Sequence, residues 1–275
     1  MTQKTIVVTG STDGIGRQTA LELLRLGHRV VVHGRSREKA ERVAADLVKE
    51  TKSTSIAAVH GDLSRVSEVR ALAEAIGKEA RLDVLVNNAG IFANERVINE
   101  DGHELTVAVN HVAPFLLTSL LLGKLRASGN ARVINVASVA HNRGEVDTGD
   151  MTFSRGFSGY GAYASTKLMN VLFTYELARL LNADAKDSTN ADVSVFALHP
   201  GVIGTKLLRE GFGIGGASLS EGAKTSIMAA TDPALEGKTG LYLSDGKIAQ
   251  SSTRSRDPVL AKRLYEVTQS LVGVT

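Results

Sequence analysis

Tyr163 and Lys167 stand four residues apart in Tyr163-Ala-Ser-Thr-Lys167, and on a helix that spacing sets both side chains on one face. A free phenol, with a pKa of about 10, is a poor acid-base group at neutral pH; a fixed cation nearby stabilises the phenolate and lowers that value. The pair therefore reads as a proton-transfer device, beside the plainer alternative of a surface lysine covering a tyrosine. Tyr160 has Ala164 four residues on, so it reads as a pocket or packing residue. Ser165 and Thr166 are read as serving the helix or a cofactor. His199 has no second histidine or carboxylate close in sequence, so it reads as a hydrogen-bonded interior histidine, and no metal site is expected.

A second chemistry is phosphate binding. Gly10-Ser11-Thr12-Asp13-Gly14-Ile15-Gly16 joins an apolar run to a helical pattern; glycines there permit a tight turn and expose amides at a helix N-terminus. The spacing is Gly-x-x-x-Gly-x-Gly, not the Gly-x-Gly-x-x-Gly of the usual dinucleotide fingerprint. The next apolar run ends His33-Gly34-Arg35-Ser36-Arg37, where an acid would bond the ribose hydroxyls of NAD. No acid is present. Arg35 is the best candidate for the 2′-phosphate of NADP, with Ser36 or Arg37 assisting, although Ser36 also suits a helix cap. Asp13, an acid inside the glycine loop, argues against a simple NADP preference. Asp62, followed by Leu63, could bond the adenine amino group, and the turn Asn87-Asn88-Ala89-Gly90 could pack on the adenosine half.

The elements that must position these residues are short β-branched runs alternating with longer helical patterns, which predicts a parallel sheet covered by helices on both faces. Strands are expected at Thr5–Thr9, Arg29–His33, Ser55–His60, Asp83–Val86, Arg132–Val136, Val193–Leu198 and Gly240–Leu243. Helices are expected at Arg17–Leu26, Glu38–Lys49, Val66–Glu79, Glu104–Leu125 and Tyr163–Leu181, with Gly27 stopping the first and Ala183–Asn190 a surface loop. The 275 residues suit one α/β domain over 1–275. With 43% hydrophobic and 22% charged residues the chain is globular, and a net charge of +3 without basic blocks argues against nucleic-acid binding. The absence of cysteine excludes disulfides and thiol catalysis. No apolar run resembles a signal peptide, and the stretch Val112–Leu122 is interrupted by Pro114, Thr118 and Ser119; a cytoplasmic protein without a membrane span is expected.

In order, Thr9–Gly16, Asp62, Asn87–Gly90, Asn110, Ser138, Tyr163 with Lys167, and Pro200-Gly201-Val202-Ile203-Gly204-Thr205 resemble the short-chain dehydrogenase/reductase family over essentially the whole chain. Val109–Phe115, Arg132–His141 and Lys167–Phe173 are similar to its retinol dehydrogenase and WW-domain-containing oxidoreductase branch. The resemblance implies a single doubly wound Rossmann-type domain with a seven-stranded parallel sheet of order 3-2-1-4-5-6-7. It implies Tyr163 as proton donor in carbonyl reduction, base in alcohol oxidation and a cofactor contact, and Lys167 as the cation that lowers its pKa and bonds the nicotinamide ribose. Ser138 would supply a second hydrogen bond to the substrate oxygen, Asn110 would hold a helix kink and a relay water, and Thr205 would bond the nicotinamide carboxamide.

Residues 203–218 would form a substrate lid carrying Leu207, Leu208, Phe212 and Ile214, and Met151, Phe153 and Phe157, in an insertion at Ala140–Gly161, would add to an apolar pocket. The expected activity is hydride transfer between NADP and a small lipophilic carbonyl compound or alcohol. A catalytically silent NADP-sensing protein and an NAD-preferring dehydrogenase stand as alternatives. A sugar-nucleotide epimerase is disfavoured, since only about 70 residues follow Thr205. In many relatives the helices carrying Asn110 and Tyr163 form dimer interfaces, which implies a homodimer or homotetramer, while an insertion before the tyrosine can block assembly.

Overall fold

Hydrogen bonds across the strand ends join the chain into one eight-stranded sheet of order β3-β2-β1-β4-β5-β6-β7-β8 in a computed structural model that describes residues 2–184 and 193–274. The strands are β1 (Thr5–Val8), β2 (Arg29–Gly34), β3 (Ile56–His60), β4 (Val84–Asn87), β5 (Ala131–Val136), β6 (Val193–His199), β7 (Leu241–Ser244) and β8 (Lys247–Ala249). The first seven pair in parallel, in the order the family resemblance implies. The eighth is a difference: β8 pairs antiparallel with β7 at the edge. Asp245 and Gly246 link them with φ of 52° and 68°, and two left-handed residues make the tight turn that matches strand twist. That Asp-Gly dipeptide is a hairpin signal the strand reading passed over.

Alternate residues of the strands feed two cores. Ile6, Val8, Val30, Val32, Ile134 and Phe196 join one cluster, while Val7, Val31, Leu85, Val133 and Val195 join the other. A strand buried on both faces reads as a continuous apolar run rather than an alternating one, which is why these strands were legible. The helices are α1 (Gly14–Arg25), α2 (Arg37–Thr51), α3 (Val66–Gly77), α4 (Leu105–Val107), α5 (Ala113–Ser128), α6 (Gly159–Asp184), α7 (Lys206–Phe212), α8 (Leu219–Thr231) and α9 (Pro258–Val272). The last three were not expected. Their starts are nevertheless written locally: Thr205 and Ser218 accept from Leu208 N and Glu221 N, and Asp257 accepts from Val259 N and Leu260 N just before Pro258. The loop expected at Ala183–Asn190 lies largely outside the described residues, and α6 carries the chain to Asp184.

Between α4 and α5 the helix takes one π turn, Ala108–Val112, which contains Asn110. Counted together, Leu105–Ser128 is 24 residues long and apolar enough to cross a membrane, longer than the Val112–Leu122 stretch suggests. In the fold, 78% of its most apolar window is buried, and Phe115, Leu116, Leu117 and Leu121 lie in the core. It serves as a core helix.

Burial lowers the pKa of His28, His33, His103, His111, His141 and His199, with His33 and His111 brought to about 4. A neutral-only site favours the folded state above the ordinary histidine pKa of 6.5, and between 6.5 and about 4 the unfolded chain takes the proton first. Stability should therefore be level above about pH 6.5 and fall as pH drops towards 5, with a slope of more than about 1 kcal/mol per pH unit from the two most buried groups. Urea unfolding across that range checks this, and an unchanged midpoint would contradict it.

Candidate active site

The glycine loop sits at the carboxyl end of β1 and is built for close approach. Gly10 and Gly14 have φ of 61° and 55°, and a Cβ at Gly10 would lie 2.8 Å from Ala89 Cα. At Gly16 a Cβ would lie 2.4 Å from Asn88 Nδ2 and 2.5 Å from Gly10 O. The loop is tied to the end of β4: Thr9 Oγ1 accepts from Asn88 N and Ala89 N, both at 3.0 Å, and Asn88 Nδ2 donates to Thr9 O at 2.8 Å. The Asn88 side chain thus holds the loop's backbone. Ser11 is also turned inward, its hydroxyl donating to Val8 O at 2.7 Å and accepting from His33 N at 2.9 Å.

His33 is the linking residue that sequence reasoning missed. Its Nδ1 accepts from Gly10 N at 3.0 Å, so the ring hydrogen is on Nε2 and donates to Gly61 O at 3.0 Å. One neutral imidazole joins the carboxyl ends of β1, β2 and β3. Its identity at a strand end carries no periodic signal, and only the assembled sheet shows the role.

A dinucleotide fits this cradle. The first-turn amides of Ile15 and Gly16 have no intrahelical acceptor, and they face the end of the sheet where open α/β folds bind ligands. Asp13 caps α1 by accepting from Gly14 N at 2.7 Å, which gives the acid in the loop a helix-capping role. Thr12 packs its methyl group against Gly34, where a Cβ would lie 2.6 Å away. Ile15 packs against α8 at Gly222, where a Cβ would lie 3.0 Å from its Cγ1.

At the end of β2, Arg35 is exposed and makes no hydrogen bond or ion pair with the described residues. Ser36 caps α2, accepting from Lys39 N, and Arg37 lies 3.8 Å from Glu41 on the surface. Asp62 has one carboxylate oxygen taken by Ser64 N and Ser64 Oγ, while Leu63 is buried in the core, so only its backbone is available to a ligand.

The catalytic candidates come from the segments that follow β4 and β5. Asn110, brought inward by the π turn, accepts from Ile91 N at 2.8 Å and donates to Ile91 O at 3.0 Å and Thr166 Oγ1 at 3.1 Å. It clamps the loop after β4 to α6. Lys167 is 3% exposed, donates to Val136 O at 2.9 Å, and has its Nζ 5.5 Å from the Tyr163 ring centroid. A Cβ on Gly90 would come within 3.3 Å of that ammonium and 3.4 Å of Asn110 Oδ1, so the end of β4 packs directly on both. Ser138 leaves β5 with extended backbone and caps a 3-10 turn, Val139–Arg143, accepting from Ala140 N at 3.2 Å.

The electrostatics differ from the sequence expectation. Burial pushes the Tyr163 phenol up to about 12, opposed by hydrogen bonding with Ser138. The same loss of water brings Lys167 down to about 8. Burial is the largest influence on the phenol, because removing solvent penalises the phenolate. At neutral pH the site presents a protonated phenol beside a serine hydroxyl, with an ammonium below, and such a pair of O–H groups can stabilise charge growing on an oxygen between them.

The mouth is aromatic. Phe92 lies 5.9 Å from Tyr163 and 4.9 Å from Phe212, and Phe212 lies 5.6 Å from Tyr163 and 5.9 Å from Tyr160. Leu207 packs there as well. Phe212 meets all three other rings, and Phe92, which no sequence pattern marked, meets Tyr163 and Phe212. Of the loop residues expected at the pocket, Met151 belongs to the main core and Phe153 packs against that core, with Phe157 edge-on to the Phe153 ring. The loop before α6 is anchored inward by these residues.

Pro200, Gly201 and Val202 follow β6, with Gly201 at φ 96° and Val202 exposed. The segment from Ile203 to Ala217 is pinned at its ends by a bridge between those two residues, with Gly204 N donating to Ala217 O at 2.9 Å. Thr205 caps α7 and places its methyl 3.7 Å from where a Gly14 Cβ would be, directly over the glycine loop. His199 accepts from Val139 N at 3.2 Å, the hydrogen-bonded histidine that was expected.

This sheet, with a phosphate cradle at one strand end and a buried tyrosine-lysine pair at the next, defines an NAD(P)-dependent dehydrogenase or reductase. The comparisons place it more closely. A family profile described as short chain dehydrogenase matches residues 4–212. Retinol dehydrogenase 12 of Bos taurus is 38% identical over 281 residues, covering 98% of this chain and 87% of that protein. A crystal structure of an uncharacterised protein from Mycobacterium Paratuberculosis superposes with a TM-score of 0.82 at 30% identity, covering 99% of this chain and 94% of that one. The Pseudomonas aeruginosa RhlG/NADP active-site complex matches with a TM-score of 0.70 at 28% identity, over 88% of this chain and 95% of that one. The chain belongs to the short-chain dehydrogenase/reductase family, on its retinol dehydrogenase branch.

Asn110 gives the site its first test. Asn110→Ala would strand the Ile91 backbone groups and the Thr166 hydroxyl, and should cost about 2–4 kcal/mol of stability. Thermal unfolding measures it, and a loss below about 0.5 kcal/mol would show that the clamp is dispensable.

Proposed function

We propose that this protein is an NADP-preferring oxidoreductase that interconverts a lipophilic carbonyl compound and its alcohol, with Tyr163 as acid and base. The observation that carries the reading is the buried Tyr163 phenol, with the Lys167 ammonium 5.5 Å from its ring centroid, set in a mouth of Phe92, Leu207 and Phe212. An apolar mouth favours an apolar substrate. Relatives named retinol dehydrogenase point the same way.

For the cofactor, the support is Arg35: an exposed guanidinium at the end of β2, where an acid would favour NAD, with planar donors suited to a 2′-phosphate. Ser36 and Arg37 would assist at its edge. Gly10 to Gly16 would hold the pyrophosphate, Asp62 and the Asn88–Gly90 turn the adenosine half, and Gly201, Val202 and Thr205 the nicotinamide side.

When bound, the reduced nicotinamide supplies a hydride to the carbonyl carbon. Tyr163 donates its proton to the carbonyl oxygen, and Ser138 hydrogen-bonds the same oxygen as charge develops there. Lys167, whose ammonium lies 5.5 Å from the Tyr163 ring centroid, would bond the nicotinamide ribose and favour the phenolate electrostatically. Asn110 keeps the β4 loop and α6 in register, so that Lys167 and Tyr163 share one geometry. The segment Ile203–Ala217 acts as a lid, with Phe212 over the tyrosine as the part that moves to admit substrate.

The raised phenol pKa gives the two directions different pH dependences. Because Tyr163 stays protonated up to about 12, carbonyl reduction should change little between pH 6 and 9, whereas alcohol oxidation, which needs the deprotonated phenol, should rise with pH. Tyr163→Phe should lower kcat about 100-fold or more in both directions while leaving dinucleotide affinity intact. Intact binding with no turnover of any aldehyde, ketone or alcohol by the native protein would point instead to a silent dinucleotide sensor. Arg35→Asp should weaken NADP much more than NAD in paired titrations, and an equal loss for both would remove Arg35 from 2′-phosphate recognition.

A further inference from the structure

His141 lies in the 3-10 turn that follows β5, three residues past Ser138, and the mechanism above gives it no task. Its ring is 2% exposed. Nε2 is 3.1 Å from Ser252 N, and a backbone N–H can only donate, so Nε2 must offer its lone pair. The ring hydrogen is then on Nδ1, which donates to Ser138 O at 2.6 Å. That carbonyl also accepts from the backbone N of His141 at 3.1 Å, so both of its lone pairs are engaged.

The imidazole is therefore a strut between the catalytic turn and the segment beyond β8. Its outer end is itself fixed. Ser255 Oγ donates to Ser252 O at 2.7 Å, Ser255 N donates to Ser252 Oγ at 3.3 Å, and the Tyr242 ring packs 5.0 Å from the imidazole. Its inner end holds the carbonyl of the residue whose hydroxyl meets Tyr163, with Ser138 at φ −162° and ψ 159°. Both ring nitrogens face backbone groups, which leaves neither for substrate or proton transfer.

We infer that His141, as its neutral Nδ1–H tautomer, is a positioning residue that sets the Ser138 hydroxyl against Tyr163 by gripping the Ser138 carbonyl. The inference rests on the proposed role of Ser138 in carbonyl reduction. Burial lowers the His141 pKa and keeps the required neutral form. A second proton would set an Nε2–H against the Ser252 N–H and break the strut at its outer end.

The test is a double-mutant cycle, because a residue acting through Ser138 has nothing to act on once that hydroxyl is gone. His141→Phe keeps a ring and removes both hydrogen bonds, while His141→Asn keeps an amide donor near the Nδ1 position. Steady-state reduction of an aldehyde that the native protein turns over with NADPH would be measured for each, in the native and Ser138→Ala backgrounds, with dinucleotide Kd and Tm alongside. The expected result is a kcat loss of about tenfold or more for His141→Phe, an unchanged dinucleotide Kd and substantial recovery in His141→Asn. In the Ser138→Ala background the His141→Phe change should alter kcat less than about twofold.

Equal losses in both backgrounds, or native kcat in His141→Phe, would overturn the positioning role and leave Ser138 standing. Native turnover in Ser138→Ala would overturn the Ser138 role and this one together. Should His141→Phe fail to fold, 15N chemical shifts of labelled histidine in the native protein decide the matter, since an Nε2–H tautomer at His141 is incompatible with the strut.

Discussion

Lys167 carries an ammonium into the interior and donates it to the Val136 carbonyl at 2.9 Å, and the site is arranged around that bond. An unpaired ammonium in such a position costs several kcal/mol, so the group needs an acceptor that cannot move away. A strand-end carbonyl meets the requirement, because the rest of β5 is locked between β4 and β6. With the nitrogen fixed at Val136, the angular position of α6 is set, and Tyr163 one turn earlier must open towards the carboxyl end of the sheet. Gly90 is the corresponding constraint from β4, where any side chain would press on the same ammonium.

The same solution recurs around the site. Loops leaving parallel strands carry backbone groups that the ladder no longer pairs, and here side chains from neighbouring strand ends take them up. Thr9 and Asn88 bond across the first and fourth strands, His33 across the first three, and Asn110 joins the fourth to the helix above. Each such bond contributes about 1 kcal/mol net, but leaving its buried partner bare costs more, so the clamps mainly prevent alternatives. They fix the strand ends that carry the site relative to one another. Against them lies the short α7, with no buried residue, held at its base by a bridge and at its tip by Phe212 on Phe92.

Much of the architecture was legible in the chain. The runs Ile6–Val8 and Val30–Val32 are apolar without interruption because both faces of the sheet are covered, and that pattern announces a parallel sheet. The glycine loop, Asn110, Ser138, Tyr163 and Lys167 were located by type and order. Helices α8 and α9 and the β7–β8 hairpin were overlooked although Ser218-Leu-Ser-Glu221, Asp257-Pro258 and Asp245-Gly246 each carry a local start or turn signal. Phe92, His33 and His141 had no such signal. Their roles come from contacts with segments 23 to 120 residues away, such as Gly10 for His33, Phe212 for Phe92 and Ser252 for His141.

By itself the sequence determined which chemical groups are present and which strand end each one follows, because residue type and periodicity are local properties. The tertiary structure alone decided the state of those groups. Spacing predicted a tyrosine made more acidic by its lysine, yet the phenol is pushed up to about 12 and the ammonium down to about 8. The reason is desolvation: how much water reaches Tyr163 and Lys167 depends on Phe92, Phe212, Gly90 and Val136 closing over them, and no four-residue motif contains that information.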